Sequence, residues 1–249
     1  MIQRPDFWDV IAKNVHVYRE DIDHLEMNKI VLQECGSIPT DAIFCGTGWC
    51  NDFPFFDSKL KVDLGLPHER GASSDDEKWT ILEKSTDVEV LEAFPELASP
   101  PVMRSSERKS DVTPNRLYQC IGPLQDRSIA FLGNVYVPNA FRVAEVQAVW
   151  ATAFLDSVLQ LPNEQNMIKD ITWVNAFCKR RYPTQGDLGN FFHFDMVGYI
   201  DRLLEEVGLE SHRRWWWPDL VQPLTTSTFE GIKDEYYRKF LAEHKRKTD

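Results

Sequence analysis

Residues 42 to 48 combine an apolar run with the tripeptide Gly46-Thr47-Gly48, a spacing that can open a loop for a dinucleotide pyrophosphate. Such a loop needs a third glycine and a helix directly after it, because the helix N-terminus supplies the amides that hold the phosphates. Here the third position is Asn51, and a proline and three phenylalanines follow instead of a helical period. The pattern therefore indicates that this stretch is not a phosphate loop.

Other reactive residue types have simpler interpretations. His193 and Asp195 would point to opposite sides of an extended segment, and the remaining histidines lack ligand spacing, so no metal site is predicted. The five cysteines form no Cys-x-x-Cys pair, which argues against a disulfide framework and a structural zinc site. Tryptophans 215–217 are interpreted as an aromatic plug, with a pocket wall as the alternative. No residue is assigned a catalytic role.

The glycine-threonine-glycine stretch and the Phe-Pro-Phe that follows it resemble the hinge segment of the flavin-containing monooxygenases. Three further segments occur in the same order as in that family: Leu117–Leu124 is similar to its Leu-Tyr…Pro segment, Ile129–Gly133 to the strand that follows, and Ala144–Trp150 to its AExQAxW helix. The resemblance covers about residues 5 to 162. Beyond it, residues 180–183 and 199–209 resemble the tail of the fungal branch, many of whose members serve secondary metabolism.

The resemblance implies an α/β flavoprotein with two Rossmann-like dinucleotide-binding domains, one for FAD and one for NADP. In that family NADPH reduces FAD, and the reduced flavin uses O₂ to oxygenate a small organic substrate. Carried over by position, the implied cofactor-binding residues are Gly46, Thr47, Gly48, Gly133, Asn134, Glu145 and Gln147.

Each of these positions has an implied role. The hinge glycines would pass close to both cofactors, and Gly133 would let the backbone approach the flavin. Gln147 matches the family's helix glutamine near the flavin, and the expected helix N-terminus at Val143–Glu145 would favour electron density on the pyrimidine oxygen. Arg142 and Val143 replace a Pro-Thr pair that is frequent in the family, so the threonine hydroxyl is missing at that point.

Family members are much longer and carry glycine fingerprints for FAD and NADP upstream of the segments matched here. The expected organisation is therefore incomplete: residues 1–50 would end the NADP-binding domain and carry the hinge, 51–112 would be a loop-rich insertion, 113–162 would hold the returning strand and helix of the FAD-binding domain, and 163–249 would be a mostly helical C-terminal extension. The expected function is that of a truncated oxygenase that lacks the N-terminal glycine fingerprints for FAD and NADPH. A complementing N-terminal polypeptide would restore it, and the alternative is a non-catalytic remnant acting as a scaffold or binding protein.

Charge and hydropathy restrict the remaining partners. Twenty-eight basic and thirty-nine acidic residues give a net charge of −11, which repels nucleic-acid backbones. No run of eighteen apolar residues and no signal peptide occur in the chain, so we expect no membrane and a cytoplasmic location. The expected partner is a small-molecule substrate.

Hydrophobic periodicity gives the expected elements. They are a helix at 6–13 with Phe7 and Ile11 inward, a meander of strands at 14–20, 29–34 and 42–46, surface loops over 57–112, a buried strand at 127–134, and helices at 143–161 and 194–209. In the parent fold, the strands at 42–46 and 128–133 would be interior and parallel.

Overall fold

The computed structural model divides the chain into two compact units, Met1–Cys50 and Asn51–Asp249. The residues that it describes are 5–34, 36–44, 53–100, 111–213 and 226–248. Within these ranges, no helix combines the length and apolar character needed to cross a bilayer.

The first unit contains one helix and a small antiparallel sheet. Its elements are α1 (Phe7–Asn14), β1 (Ile22–Glu26), β2 (Lys29–Leu32) and β3 (Gly36–Pro39), and the sheet order is β1-β2-β3. Residues 27 and 28 form the first turn, in which Asn28 adopts the left-handed conformation that a tight hairpin requires. The predicted helix, the predicted middle strand and the meander itself are confirmed, although Phe7 on α1 is exposed.

Two of the three strand positions predicted for this unit were wrong. Residues 14–20 form no strand although they alternate, because the strand that pairs with β2 is the adjacent segment joined to it by the tight turn at Asn28. The third strand is β3, directly after β2, whereas Ala42–Phe44 have no regular structure. Residues 45–46 of the predicted strand lie outside the described ranges.

The second unit is built from helices joined by ordered irregular segments. They are α2 (Ser58–Leu64), α3 (Asp76–Ala93), α4 (Ala140–Leu155), α5 (Glu164–Arg181), α6 (Met196–Val207) and α7 (Ile232–Thr248), with short 3₁₀ helices at Pro95–Ala98, Gly186–Leu188 and Thr226–Phe229. Helix α3 packs on α5, and α4 packs on α6 and α7. In the described residues, the only strands with regular pairing are those of the antiparallel sheet in the first unit.

The prediction of loops over 57–112 was wrong for much of that range. Helix α3 is eighteen residues long, but only Trp79, Thr86 and Val90 are buried along it. Its other positions are mainly polar, so it lacks the wide apolar stripe that identifies a helix from sequence. Asp57 caps the shorter α2 by accepting from the Leu60 N–H at 2.7 Å.

Helix α4 forms the centre of the main hydrophobic core. Trp150 and Phe154 are both fully buried, and their rings stack with centroids 5.3 Å apart. The helix begins three residues before the predicted start because the Asn139 side chain accepts from the Arg142 N–H. It ends at Leu155 instead of residue 161, since Ser157 turns the chain with a positive φ of 57°.

The predicted helix at 194–209 is confirmed as α6. Ile200, Leu203 and Leu204 are fully buried on one face, and Gly208 ends the helix in the left-handed conformation with φ of 71°. The predicted strand at 127–134, in contrast, is irregular chain. Phe131 is buried and donates its N–H to the Ile121 carbonyl, but no neighbouring segment continues that pairing.

Candidate functional site

The residues around Gly133, here called the Gly133 turn (Leu132–Asn134), present an open backbone. Gly133 has φ of +73°, a conformation that side-chain-bearing residues rarely adopt. A Cβ placed on it would meet no heavy atom within 4 Å, and the neighbouring Leu132 is 51% exposed. A flat ligand could therefore approach this backbone closely, because Gly133 has no side chain and the space beside its Cα is open.

A buried glutamine holds the inner side of this turn. Gln147 on α4 is 0% exposed, and its Oε1 accepts the Gly133 N–H at 2.9 Å. Its Nε2 donates to the Tyr199 hydroxyl at 2.7 Å, and that hydroxyl donates to the Gln119 carbonyl at 2.8 Å. Burial raises the pKa of Tyr199 well above its ordinary value, so the hydroxyl stays protonated. The structure thus joins two predicted site residues, Gly133 and Gln147.

Asn134 belongs to a buried network of asparagines on the inner side of the turn. Its Nδ2 donates to Asn115 Oδ1 at 2.9 Å, and Asn190 Nδ2 donates to the Asn134 carbonyl at 3.1 Å. Asn175 on α5 donates to the Asn115 carbonyl at 2.9 Å. The Asn134 side chain and carbonyl therefore both make hydrogen bonds within the protein.

The other predicted site residues are placed differently or lie outside the description. Glu145 is exposed on α4, two residues before the fully buried Gln147, which puts it on another side of the helix. Since α4 begins at Ala140, Glu145 also lies beyond its first turn, and the predicted N-terminus at Val143–Glu145 was wrong. Gly46, Thr47 and Gly48 fall outside the described residues.

The Leu-Tyr segment forms a tight, closed turn beside this network. The Tyr118 N–H donates to the Gly122 carbonyl at 2.8 Å, and the Gly122 N–H donates back to Tyr118 at 2.9 Å. Within it, Gln119 and Cys120 both have positive φ, 54° and 57°. A Cβ on Gly122 would come within 2.9 Å of the Phe154 ring, so glycine is required for this contact.

A carboxylate on α6 fixes the same turn from another side. Glu206 accepts the Tyr118 hydroxyl at 2.7 Å and the Trp150 indole N–H at 2.8 Å. The Gln119 side-chain amide donates to the same carboxylate, and the Arg202 guanidinium lies 3.7 Å away. Burial, together with the charge of Glu206, raises the pKa of Tyr118.

A pocket of about 180 Å³ opens between the Leu-Tyr segment, α5 and α6. Its walls are largely aromatic, with Tyr118, Trp173, Phe177, Phe192 and Tyr199 among the lining residues. Asp170 and Arg202 also line it and form an ion pair at 2.6 Å. Asp195, a further charged lining residue, accepts from the Tyr182 hydroxyl and lies 3.6 Å from the Arg181 guanidinium. The pocket therefore suits a largely apolar molecule, because its charged lining residues already have partners within the protein.

The sequence is similar over most of its length to curated FAD-dependent monooxygenases of fungi. A relative from Pyrenophora dematioidea is 33% identical over 226 residues, covering 86% of this chain and 40% of the relative. One from Aspergillus sclerotiorum is 31% identical over 253 aligned residues, covering 95% of this chain and 43% of the relative. The chain belongs to the FAD-dependent monooxygenase family. The resemblance expected from the ordered motifs is thereby confirmed.

A flavin-containing monooxygenase of Arabidopsis thaliana is also similar, at 24% identity over 130 residues, which is 48% of this chain and 25% of that protein. No family model matches the chain. This family member spans about two fifths of the length of the fungal relatives named above.

An ionic network at the start of α3 was not predicted from the sequence. Asp76 at the start of α3 accepts from Arg116 at 2.7 Å, from the His68 ring at 3.1 Å and from the Gly71 N–H at 2.8 Å. The Arg116 guanidinium lies 4.9 Å from the centre of the Trp79 ring. Asp76 lies within the range 57–112, for which surface loops were predicted, and no local signal marks it as a network centre.

Proposed function

We propose that this chain forms the flavin-facing part of an FAD- and NADPH-dependent monooxygenase that oxygenates a small organic molecule. The observation that carries the proposal is the Gly133 turn: an exposed glycine in the left-handed conformation, open on one side and held by Gln147 on the other. Gln147 belongs to the AExQAxW segment, one of the motifs shared with the family. The similarity to fungal FAD-dependent monooxygenases supports the choice of cofactor.

The residues present fit the flat end of a flavin. An isoalloxazine ring needs a backbone approach that no side chain blocks, and an added Cβ at Gly133 would meet nothing within 4 Å. The Gly133 amide is already satisfied by Gln147, so the turn keeps its shape without relying on the ligand. The backbone of the Gly133 turn would hold the ring end.

When bound, FAD would supply the electron transfer and oxygen activation that side chains cannot perform. The chain's own residues would orient the ring and limit water. Gln147 and Tyr199, both buried, fix the inner side of the turn, and the core around α4 excludes solvent there. Such shielding from water is what oxygen-activating sites require of the protein.

The substrate is proposed to bind in the aromatic pocket between α5 and α6. Gln119 and Tyr199 line this pocket and also belong to the hydrogen-bond chain that ends at Gly133. A small apolar substrate in the pocket would therefore lie against the same residues that shape the turn.

Binding of the FAD pyrophosphate and of NADPH is proposed to need a complementing N-terminal polypeptide that carries the glycine fingerprints. The fungal relatives are more than twice as long as the matched region. We further propose a cytoplasmic enzyme of secondary metabolism.

The test is an FAD titration of the purified chain, followed by flavin fluorescence. If the ring end supplies about half of a typical cofactor affinity, the expected Kd is on the order of tens of micromolar. Gly133→Ala should weaken binding about tenfold or more. Gly231→Ala is the matched control, because Gly231 also has positive φ (80°) and open space around an added Cβ.

Equal affinities for the two alanine variants would overturn the assignment of the Gly133 turn. A chain that binds no FAD, even with an added N-terminal half from a fungal relative, would instead favour the scaffold alternative. Oxidation of NADPH by the complemented pair would exclude that alternative.

A further inference from the structure

We propose that Tyr199 is a positioning residue: it fixes the orientation of the Gln147 side-chain amide, and through it the shape of the Gly133 turn. The proposed role of that turn in contacting flavin rests on the function proposed above. The hydrogen-bond arrangement itself is a property of the chain without cofactor.

The two ends of the hydrogen-bond chain determine its direction. The Gly133 N–H can only donate, and the Gln119 carbonyl can only accept. The Tyr199 hydroxyl has one proton, and it gives that proton to Gln119 at 2.8 Å. It can then only accept from Gln147, which must present Nε2 to it and Oε1 to Gly133.

The flipped amide would break this chain at both ends. Nε2 of Gln147 would then face the Gly133 N–H, placing two donors together. Oε1 would take the Tyr199 proton, and the Gln119 carbonyl would lose its donor. Gln147 is 0% exposed, Tyr199 6% and Gln119 8%, so water does not replace the partners missing at that end of the chain and the mismatch there is costly.

The far end of the chain is itself held in place. Gln119 has φ of +54° in the tight Leu-Tyr turn, and its side-chain amide donates to Glu206. Its carbonyl therefore has a fixed direction toward Tyr199. Without the Tyr199 hydroxyl, Gln147 would lose one of the two contacts that fix its orientation, and only the Gly133 N–H would still hold Oε1 toward the turn.

The test compares hydrogen exchange of the Gly133 amide in the flavin-free, ¹⁵N-glycine-labelled 249-residue chain, with the resonance identified by its absence in Gly133→Ala. Tyr199→Phe keeps the ring stacked on Phe192 at 4.8 Å and removes only the hydroxyl. Exchange at Gly133 should become about five- to tenfold faster, the effect of losing one hydrogen bond. Exchange at Gly208, whose amide bonds to the Glu205 carbonyl, should not change.

Tyr236→Phe is the matched control, since Tyr236 is 4% exposed and packs against Phe240 in α7. Unchanged exchange at Gly133 in Tyr199→Phe would overturn the proposal. So would equal acceleration at Gly208, which would indicate general destabilisation, or equal acceleration by Tyr236→Phe.

A second measurement needs no variant and covers the case in which Tyr199→Phe does not fold. In the wild-type chain, the Gln147 side-chain NH₂ protons should show nuclear Overhauser contacts to the Tyr199 ring. Contacts from those protons that are stronger to the Gly133 amide proton than to the Tyr199 ring would show the flipped orientation and contradict the proposal.

The cofactor is examined separately, so that the two proposals fail in different ways. FAD should bind about tenfold more weakly to Tyr199→Phe than to Tyr236→Phe if the turn contacts the flavin. A chain whose Gly133 exchange depends on Tyr199 but which binds no FAD, even with the complementing N-terminal half, would contradict the proposed function and leave the positioning role intact.

Discussion

The indole nitrogen of Trp150 on α4 donates to the carboxylate of Glu206 on α6 at 2.8 Å. The other carboxylate oxygen of Glu206 accepts from the Tyr118 hydroxyl at 2.7 Å and from the side-chain amide of Gln119. One carboxylate therefore links the long central helix, the amphipathic helix and the strained Leu-Tyr turn. Both of its oxygens must be acceptors for all three contacts to form.

Glu206→Gln should destabilise the chain by about 2 kcal/mol, the usual effect of leaving a buried donor without an acceptor. The amide has one acceptor oxygen, so its NH₂ group would face either the Trp150 indole N–H or the Tyr118 and Gln119 donors. Urea unfolding followed by tryptophan fluorescence measures the change. Glu205→Gln on the exposed side of the same helix should change stability by less than about 0.5 kcal/mol. Similar effects of the two substitutions would contradict this role of Glu206.

Asp76 should make the stability of the chain depend on acid pH. Burial opposes its ionisation, but hydrogen bonds from His68, Arg116 and the Gly71 N–H outweigh burial and lower the pKa of Asp76 from 3.8 to about 2. A lowered folded-state pKa contributes stability that is fully present above about pH 4 and is lost as pH falls toward 2. The contribution is about 2 kcal/mol, because each pKa unit corresponds to about 1.4 kcal/mol.

Asp76→Asn should therefore lower the free energy of unfolding by about 2 kcal/mol at pH 7, and its difference from wild type should shrink between pH 4 and pH 2. Urea unfolding at several pH values, followed by circular dichroism, measures both quantities. Asp75→Asn, at the exposed preceding position, is the control and should change the free energy of unfolding at pH 7 by less than about 0.5 kcal/mol. A difference between Asp76→Asn and wild type that stays constant down to pH 2 would contradict the assigned pKa.

The sequence predicted correctly those elements whose own residues show a helical apolar face and a terminating residue. Helix α6 has a continuous apolar face and a terminal glycine at 208, so its bounds were predicted to within two residues. Helix α3 lacked both signals and was missed, because only three of its eighteen residues are buried. The strand expected at 127–134 failed for the opposite reason: its apolar residues cover a small core without a neighbouring strand to pair with.

The candidate site was predictable only where a motif marks it. Gly133 and Gln147 were found because both stand in segments that resemble a known family. Glu206 and its donor Tyr118 are separated by 88 positions, and Asp76 and Arg116 by 40. No local pattern connects residues so far apart, and the tertiary packing of α3, α4 and α6 determines which of them meet.

Gly189→Ala should disrupt the asparagine network behind the Gly133 turn. Gly189 has φ of +68°, and an added Cβ would lie 1.8 Å from Asn175 Oδ1. The same side chain donates its Nδ2 proton to the Asn115 carbonyl. Gly208→Ala is the matched control, because Gly208 has φ of +71° and its nearest neighbour is the flexible end of Lys239. The control should cost about 1 kcal/mol for its backbone conformation alone.

Gly189→Ala should cost about 3 kcal/mol or more, since it adds a buried clash to the same backbone strain. Thermal and urea unfolding of both variants give the comparison. Equal losses of stability would mean that Asn175 moves aside freely and that the network is not rigid.

The buried cysteines should be unreactive in the folded chain. Cys120 and Cys178 have their sulfur atoms 3.6 and 3.4 Å from the carbonyls of Gly189 and Phe191. Burial raises the pKa of Cys178 to about 12 and also raises that of Cys120. Because the thiolate is the nucleophile, iodoacetamide at pH 8 should modify both at least about a hundredfold more slowly than a cysteine-containing peptide.

Peptide mass spectrometry after timed alkylation measures the rate of modification of each cysteine. As a control, the same reaction in 8 M urea (a concentration chosen to unfold the chain) should modify both completely. Modification of Cys120 in the folded chain at the rate of a free peptide would require the Leu-Tyr turn to open readily. That outcome would contradict the tight packing of this turn against α4, on which the rigidity of the Gly133 site depends. Slow modification of Cys120 together with fast modification of Cys178 would place such opening in the segment around Phe191 instead.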